Sequence, residues 1–399
     1  MSFRYPAGVV GATVTPSGPY QNSTASGAWS LAAQANFKAQ SLWPTQGNLA
    51  VYLWSWGQNT SGQLGLGNTT NYSSPKQVGV LSTWGKIANR NIHSVAVKND
   101  GALWTWGNNS GGQLGLGNTT YYSSPKQVGA LTTWLNIAGG GNHTIAVKTD
   151  GTLWTWGLNA SGQLGLGDST NRLSPVQVGA LTAWLVVAGG ANYTIATKTD
   201  GTLWSWGNNV DGQLGLGNTT YYSSPKQVGA LTTWSAVACG FSHTIVTKTN
   251  GTLWTWGKNN QGQLGLGDST NRSSPVQVGG LTTWLTVAGG YGHTIAVKTD
   301  GTLWTWGLNT SGQLGLQNTN NYSSPMQVGA LTTWSNISGG YNFTAATQTN
   351  GTLWSWGLNS NGQLGLGNTT YKSSPNQVGA LTTWLNVASG RYFNLATKS

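Results

Sequence analysis

The sequence repeats one theme every 50 residues, seven times, from about residue 50 to residue 399. No copy contains an insertion: a GxLWxWG segment starts at Gly101 and at every fiftieth residue up to Gly351, and a related VYLWSWG starts at Val51. A repeat of this length is typical of solenoids and propellers, in which neighbouring copies share a core. The repeat therefore restricts the fold to one of these two architectures.

Each copy contains a strong hairpin signal. In one copy, residues 144–149 and 152–157 are rich in β-forming residues, and an Asp-Gly pair separates them. Asp-Gly and Asn-Gly pairs supply the positive φ angles of a type I′ turn. The pattern therefore predicts a β-hairpin at the same place in each of these copies.

Two further strands complete the repeat. One is predicted around residues 175–178, where a leading proline suits an outer edge, and another around residues 186–188. Four short strands per repeat predict one propeller blade, and seven blades lie within the usual range.

The two ends of the repeat region complement each other. The region begins with the second strand of the hairpin, at residues 51–57, and finishes with the first strand, at residues 393–398. An open array would leave both strands as bare edges, which invite aggregation. A closed ring pairs them, with residues 385–399 and 51–80 each supplying two strands of one blade.

We therefore expect an all-β fold, a seven-bladed β-propeller of four-stranded blades over residues 50–399. Pairing between its first and last strands closes the ring and places Lys398 and Ser399 beside Ala50 and Val51. Residues 1–49 are expected to form a separate N-terminal arm.

Composition and charge argue against several classes of protein. Charged residues make up 6% of the chain, which also has 23 Trp and 60 Gly, whereas disordered chains have few aromatics and much charge. The formal charge is +11, but the basic residues are spread at repeat intervals, so we expect no specific nucleic-acid binding. Cys239 is the single cysteine, which excludes an intrachain disulfide framework.

The first residues lack the basic start and apolar run of a signal peptide, and no apolar stretch is long enough to span a membrane. We therefore expect synthesis in a cytoplasm and no membrane insertion.

The motif WGxNxxGQLGLG, as at residues 156–167, followed later by GGxxHT, as at residues 289–294, resembles the repeat of the regulator of chromosome condensation family. The resemblance covers residues 50–399 and implies a seven-bladed propeller. The founding member is an exchange factor for a nuclear small GTPase that also binds chromatin, and it uses an inserted wedge. Because no copy here has such an insertion, the resemblance does not imply exchange activity.

The sequence does not indicate a catalytic, metal or cofactor site. His93, His143, His243 and His293 share a repeat position that is Tyr or Phe in the other copies, so we expect rings packed beside the Gly-Gly turn rather than metal ligands. The glycine-rich loops precede no helix and are interpreted as blade turns, not phosphate sites. We expect no enzyme activity and no cofactor.

Departures from the repeat consensus are the remaining indication of a site. Arg90 replaces a glycine of the first copy, and Arg391 follows the equivalent glycine of the last. Ring closure would place both at one seam, as a candidate partner or anion contact, although simple drift of the terminal copies would give the same pattern.

The N-terminal arm has a helix signal at about residues 31–42, with Ser30 as N-cap and Trp43-Pro44 as stop. A helix this short is marginal alone and must pack on something. The candidate attachment residues are Trp29, Leu31, Phe37, Leu42 and Trp43.

Residues 22–44 also resemble a segment at the start of structural proteins of tailed bacteriophages. The resemblance implies a virion structural protein, made in the host cytoplasm, whose arm binds other virion proteins and whose displayed propeller contacts a host receptor or glycan. The alternatives are an intracellular propeller scaffold that binds a protein partner, such as a small GTPase or chromatin component, and a propeller lectin. A homo-oligomer is compatible with each.

Overall fold

The computed structural model describes residues 3–5, 8–10 and 50–399. The chain divides into two compact units, Met1–Ala50 and Val51–Ser399. In the first unit, strands Phe3–Tyr5 and Gly8–Val10 pair in an antiparallel ribbon. The helix predicted at residues 31–42 and the five candidate attachment residues lie outside the described residues.

The second unit is a ring of seven four-stranded antiparallel sheets, which confirms the predicted propeller. We number its blades so that blade 1 spans residues 84–127 and each later blade starts 50 residues further on. Blade 7 combines residues 384–398 with residues 52–77. Within the described residues no helix is long and apolar enough to cross a bilayer.

The four strands of each blade follow one another from the centre of the ring outwards. The innermost strands, which contact one another around the ring, are Trp84–Asn89, Trp134–Gly139, Trp184–Gly189, Trp234–Cys239, Trp284–Gly289, Trp334–Gly339 and Trp384–Ser389. The second strands are His93–Lys98, His143–Lys148, Tyr193–Lys198, His243–Lys248, His293–Lys298, Phe343–Gln348 and Phe393–Lys398. The third strands are Leu103–Gly107, Leu153–Gly157, Leu203–Gly207, Leu253–Gly257, Leu303–Gly307, Leu353–Gly357 and, in blade 7, Tyr52–Gly57. The outermost strands are Tyr122–Gln127, Arg172–Gln177, Tyr222–Gln227, Arg272–Gln277, Tyr322–Gln327, Lys372–Gln377 and, in blade 7, Tyr72–Gln77.

Blade and repeat are offset from each other. The proline-bearing strand is the outer edge of its blade, and the strand predicted around residues 186–188 is the innermost strand of the next blade. The GxLWxWG strand therefore lies third from the centre. Proline lacks the N–H that a further strand would need, which is why the sheet ends there.

The chain ends close the ring by hydrogen bonding. Tyr52 pairs with Lys398 and Leu53 with Thr397 in an antiparallel ladder between the third and second strands of blade 7. The Ser399 N–H donates to the Thr383 carbonyl at 3.1 Å. No covalent turn joins these two strands, whereas every other blade has one.

The tryptophans form the core between blades. Trp84 packs edge-on against Trp104 and Trp106, with ring centroids 6.2 and 6.1 Å apart. Trp106 is fully buried, and its indole N–H donates to the Gln63 carbonyl of the preceding blade at 2.9 Å. The same arrangement recurs around the ring, so these rings are structural.

The GQLGLG loop is the joint between neighbouring blades. The Gln63 carbonyl also accepts the Ser94 hydroxyl at 2.8 Å, and Asn59 Oδ1 accepts the Leu64 N–H at 2.9 Å. Gly65 has φ +75°, and a Cβ there would lie 2.7 Å from the Trp106 indole nitrogen. These contacts explain the motif as a blade turn rather than a phosphate site.

Candidate functional site

The ring has two different faces, because antiparallel strands end alternately on opposite sides. We call one the mouth face: it carries the turns that join innermost to second strands, such as residues 140–142, and the GQLGLG loops. We call the other the hairpin face: it carries the Asp-Gly and Asn-Gly turns and the loops that lead to the next blade, such as residues 179–183.

The hairpin face is nearly the same in every blade. Each loop to the next blade exposes one leucine by 44–52%. These leucines are Leu81, Leu131, Leu181, Leu231, Leu281, Leu331 and Leu381. A surface that repeats sevenfold offers a partner seven nearly equivalent orientations.

Lysines on this side of the ring lie over tryptophans rather than in solvent. Lys148 Nζ lies 3.7 Å from the ring centroid of Trp154 and 5.0 Å from that of Trp134. Desolvation lowers the pKa of Lys148. The ammonium covers the half-buried Trp154 ring, which removes one aromatic face from any sugar-stacking role.

The mouth face has a depression of about 320 Å³ at the centre of the ring. Every blade contributes to its wall the residue after the turn glycine, or after Arg90 in blade 1, and this position holds six different residue types in the seven blades. In order from blade 1 to blade 7 these residues are Asn91, Gly141, Ala191, Phe241, Tyr291, Tyr341 and Arg391. The sevenfold repeat is therefore broken most strongly at this site.

Three consecutive blades give the depression an aromatic side. The ring centroids of Phe241 and Tyr291 are 4.7 Å apart, and those of Tyr291 and Tyr341 are 4.2 Å apart. Tyr392 continues the series, 5.4 Å from Tyr341. We call these four residues the aromatic arc; Phe241 is 42% exposed although its side chain is wholly apolar.

Arg391 lies at the end of the aromatic arc. Its guanidinium carbon is 5.2 Å from the Tyr341 centroid and 5.1 Å from the Tyr392 centroid. Its backbone N–H donates to the Asn91 carbonyl of blade 1 at 2.8 Å. Both distances lie within the range of a cation–π contact, and the guanidinium makes no hydrogen bond to a described residue.

Arg90 extends across the ring beneath this depression. It follows the innermost strand of blade 1. Its Nη1 donates to the Cys239 carbonyl of blade 4 at 2.7 Å and, more weakly, to the Gly289 carbonyl of blade 5 at 3.4 Å. Desolvation lowers the pKa of Arg90, but a guanidinium stays charged at neutral pH. The side chain thus puts a positive charge into the floor of the depression.

Both sequence-predicted arginines therefore line one depression. At the predicted seam between blades 7 and 1 the Arg391 backbone bonds to Asn91, the residue after Arg90, but the Arg90 side chain leaves that seam and crosses the channel. Sequence reasoning missed the aromatic arc. Its available signal was the run of three aromatics at one repeat position, in copies that are elsewhere nearly identical.

The four histidines are fully buried, and each ring lies at the boundary between its own blade and the next. The Thr144 hydroxyl donates to the Gln113 carbonyl at 2.8 Å, so its oxygen accepts the Nε2–H of His93 at 3.0 Å. A Cβ at Gly140 would lie 2.0 Å from the His143 ring, which is why glycine precedes the ring. The rings pack against the turn and are inaccessible to solvent.

The remaining candidate groups lack reactive surroundings. Burial raises the pKa of the Cys239 thiol to about 12, which disfavours the nucleophilic thiolate. The Asp168–Arg172 pair, 2.6 Å apart, is a partly exposed ion pair at the surface. Among the described residues no group of three His, Cys, Asp or Glu side chains is placed to hold a metal ion.

Comparison with known families finds matches over almost the whole ring. The model of the RCC1-like domain matches residues 45–290, and that of the regulator of chromosome condensation (RCC1) repeat matches residues 300–347 and 350–397. A second RCC1 repeat model matches residues 285–313 and 334–363.

Solved structures show the same fold. Prp20p from Saccharomyces cerevisiae, described with its binding properties to Gsp1p and histones, is 19% identical with a TM-score of 0.80, covering 92% of this chain and 94% of its own. A structure of Kap60 bound to yeast RCC1 (Prp20) gives 19% identity, a TM-score of 0.79 and coverage of 88% and 89%. Human WBSCR16 gives 21% identity, a TM-score of 0.79 and coverage of 88% and 99%. No curated protein sequence matches the chain.

Proposed function

The chain belongs to the family of regulator of chromosome condensation (RCC1) repeat proteins, and we propose that it is a propeller scaffold that binds a protein partner at the depression on its mouth face. The observation that carries this proposal is the loss of sevenfold symmetry at that site. A specific complex needs one preferred orientation, and a surface that repeats in every blade cannot provide it.

The chemistry of the mouth also suits a protein interface. Exposed aromatic residues beside arginine are typical of the residues that dominate binding energy in such interfaces. The depression is lined by three residues of the aromatic arc, Phe241, Tyr291 and Tyr341, and by Arg391, and the uniform hairpin face has no such group. The yeast relative, whose structural descriptions name Kap60, Gsp1p and histones, supports protein binding as the class of function.

We propose no reaction for this site. The described lining of the depression consists of Arg, Asn, Gly, Ala, Phe and Tyr residues, without a carboxylate or histidine to act as a general base. The four histidines lie buried between blades instead.

The test is affinity capture with the full chain, using extract of the cells in which it is made. The mouth variant carries Phe241→Ser, Tyr291→Ser and Tyr341→Ser. The matched control carries Leu131→Ser, Leu181→Ser and Leu231→Ser on the hairpin face. We expect a protein that the wild type and the control capture equally and the mouth variant captures at least about tenfold less.

Circular dichroism and thermal unfolding establish that both variants are folded. Equal capture by the mouth variant, or loss of capture by the leucine control, would contradict the proposal.

A second proposal concerns the N-terminal arm and rests on its sequence and on the closure of the ring between residues 52–57 and 393–398. The resemblance of residues 22–44 to tailed-phage structural proteins, together with a ring that closes without them, supports attachment of the propeller to a virion. A chain without residues 1–49 should fold as a ring but fail to enter particles, as judged by immunoblotting of purified virions. Incorporation of the shortened chain at the wild-type level would refute attachment through the arm.

A further inference from the structure

The depression on the mouth face has an unbalanced positive charge. Arg90 and Arg391 both line it, and no Asp or Glu does. Guanidinium groups that converge on one cavity favour an anionic occupant, most of all a carboxylate or phosphate that accepts two N–H bonds.

The chain's own acids are engaged or face elsewhere. Four of its seven Asp lie in turns of the hairpin face: Asp100, Asp150, Asp200 and Asp300. Asp168 and Asp268 pair with Arg172 and Arg272 at 2.6 and 2.5 Å. Asp211 accepts a hydrogen bond from Asn271 at 3.1 Å, and the sequence of residues 1–49 contains no acid. None of the seven Asp side chains lines the depression, so an anion from another molecule would meet no carboxylate in its described lining.

Both guanidiniums have donors left for it. The Arg90 guanidinium bonds to described residues through Nη1. Its Nε and Nη2 have no hydrogen-bond partner among them. Arg391 is exposed and lies within cation–π distance of Tyr341 and Tyr392, and its guanidinium makes no hydrogen bond to a described residue.

The apolar side of the depression limits what accompanies the anion. Phe241, Tyr291 and Tyr341 occupy one half of the wall, while Gly141 and Ala191 leave room in the other. The rings of Tyr291 and Tyr341 are tilted by 33° and those of Phe241 and Tyr291 by 52°, with centroids 4.2 and 4.7 Å apart, so each ring is partly covered by its neighbour. This favours an amino-acid side chain over the stacked face of a sugar ring.

We propose that the mouth binds an acidic peptide segment of the partner, with a carboxylate between Arg391 and Arg90 and a neighbouring apolar side chain against the aromatic arc. A volume of about 320 Å³ accommodates one or two side chains, so the segment inserts locally while the rest of the partner lies on the rim. This inference rests on the proposed function and names the chemistry that the partner must carry.

The test is selection from a library of random short peptides on the immobilised full chain. We expect enrichment of Asp or Glu next to Phe, Leu or Tyr. The best peptide is then resynthesised with each acid replaced by its amide, and both forms are titrated by calorimetry. The amide form should bind at least about tenfold more weakly, the loss expected for one charge-assisted hydrogen-bonded pair.

Variants of Arg391 locate the contact. Arg391→Ser should weaken the acidic peptide by about tenfold and leave the amide peptide unaffected, whereas Arg391→Lys keeps the charge and should restore part of the affinity. Lys372→Ser, on the outermost strand of blade 6, is the control for loss of one positive charge elsewhere.

Three results would each overturn the inference. The selected peptides could lack acidic residues, the acid and amide forms could bind equally, or Arg391→Ser could leave the affinity unchanged. Binding of oligogalacturonate but of no peptide would overturn it in favour of a sugar-acid site. The titrations could show no preference for acidic peptides while the mouth variant still fails to capture the partner in the capture experiment. That result would support protein binding at the mouth and reject only the acidic chemistry.

Discussion

At the scale of single residues, the repeats provide internal comparisons that most proteins lack. Gln317 has φ +62° at the second glycine of the GLG sequence, where the other six blades have glycine. A Cβ at the equivalent Gly217 would lie 3.7 Å from the nearest atom, Ser274 Oγ, so a side chain fits there. The cost of Gln317 is therefore in its backbone conformation alone.

Gln317→Gly should raise the free energy of unfolding by about 1 kcal/mol, because L-residues pay roughly this amount in the left-handed region. Chemical denaturation measures it. The reciprocal change Gly217→Gln should lower the free energy of unfolding by a similar amount. A neutral or destabilising Gln317→Gly would show that the side chain makes a compensating contact.

Single residues also mark the limit of what sequence could predict about the site. Arg90 and Arg391 could be found because each departs from a glycine-rich turn in a terminal copy. Phe241, Tyr291 and Tyr341 could not be interpreted singly, because one aromatic at one variable position is compatible with core packing. They become a recognisable group only when the ring closes and consecutive blades place the three side chains around one opening.

At the scale of elements, blade 7 is distinguished by lacking the turn between its second and third strands. Its ladder runs from Tyr52–Lys398 to Gly57–Phe393 and contains the five pairs found in the hairpins of the other blades plus one more at its open end. Hydrogen bonds and packing thus replace a covalent connection at this place.

A circular permutant should therefore fold. In it Ser399 is joined through Asp-Gly to Tyr52, residues 1–51 are removed, and new ends are opened between Thr199 and Asp200. Because one hairpin turn is gained where another is lost, we expect a melting temperature within a few degrees of that of the ring without residues 1–49. A permutant that does not fold would show that the position of the ends matters beyond strand pairing.

The strands themselves were largely predictable, and their radial order was not. Alternation and Asp-Gly turns reveal which strands pair, but they do not show which strand faces the centre. The proline of the outermost strand, such as Pro175, was the one radial signal, since only an edge tolerates it. With that strand as the edge, sheet order alone makes the Trp184–Gly189 strand innermost in the next blade.

At the scale of the whole molecule, four buried histidines connect the stability of the ring to pH. Burial lowers the pKa of His93 to about 4 and the pKa values of His143, His243 and His293 to about 3. Each Nε2 is hydrogen-bonded across a blade boundary, while each Nδ1 is buried and has no partner among the described residues. The folded ring therefore holds these rings neutral.

The stabilisation linked to these histidines should be complete above about pH 6.5 and lost as the pH falls towards 4 to 3. Over that range the unfolded chain takes up protons that the folded ring does not, at up to about 1.4 kcal/mol per pH unit for each histidine. Thermal unfolding across the range should show the loss.

The matched control replaces all four histidines by Phe, the residue found at the same position in Phe343 and Phe393. This variant should lose much less stability between pH 6.5 and 4 than the wild type. Equal acid sensitivity in both would assign the effect to the carboxylates instead.

Almost every hydrogen bond between blades is copied around the ring, so these bonds do not distinguish one blade from another. The hydrogen bond from Arg90 to the Cys239 carbonyl is different, because it joins blade 1 to the far side of the ring. Adding or deleting one repeat between these two blades would change which carbonyl lies opposite Arg90 and how far away it is. Arg90 is thus the residue whose bonding depends on the number of blades, and among near-identical repeats it distinguishes a ring of the correct size from one that has gained or lost a copy.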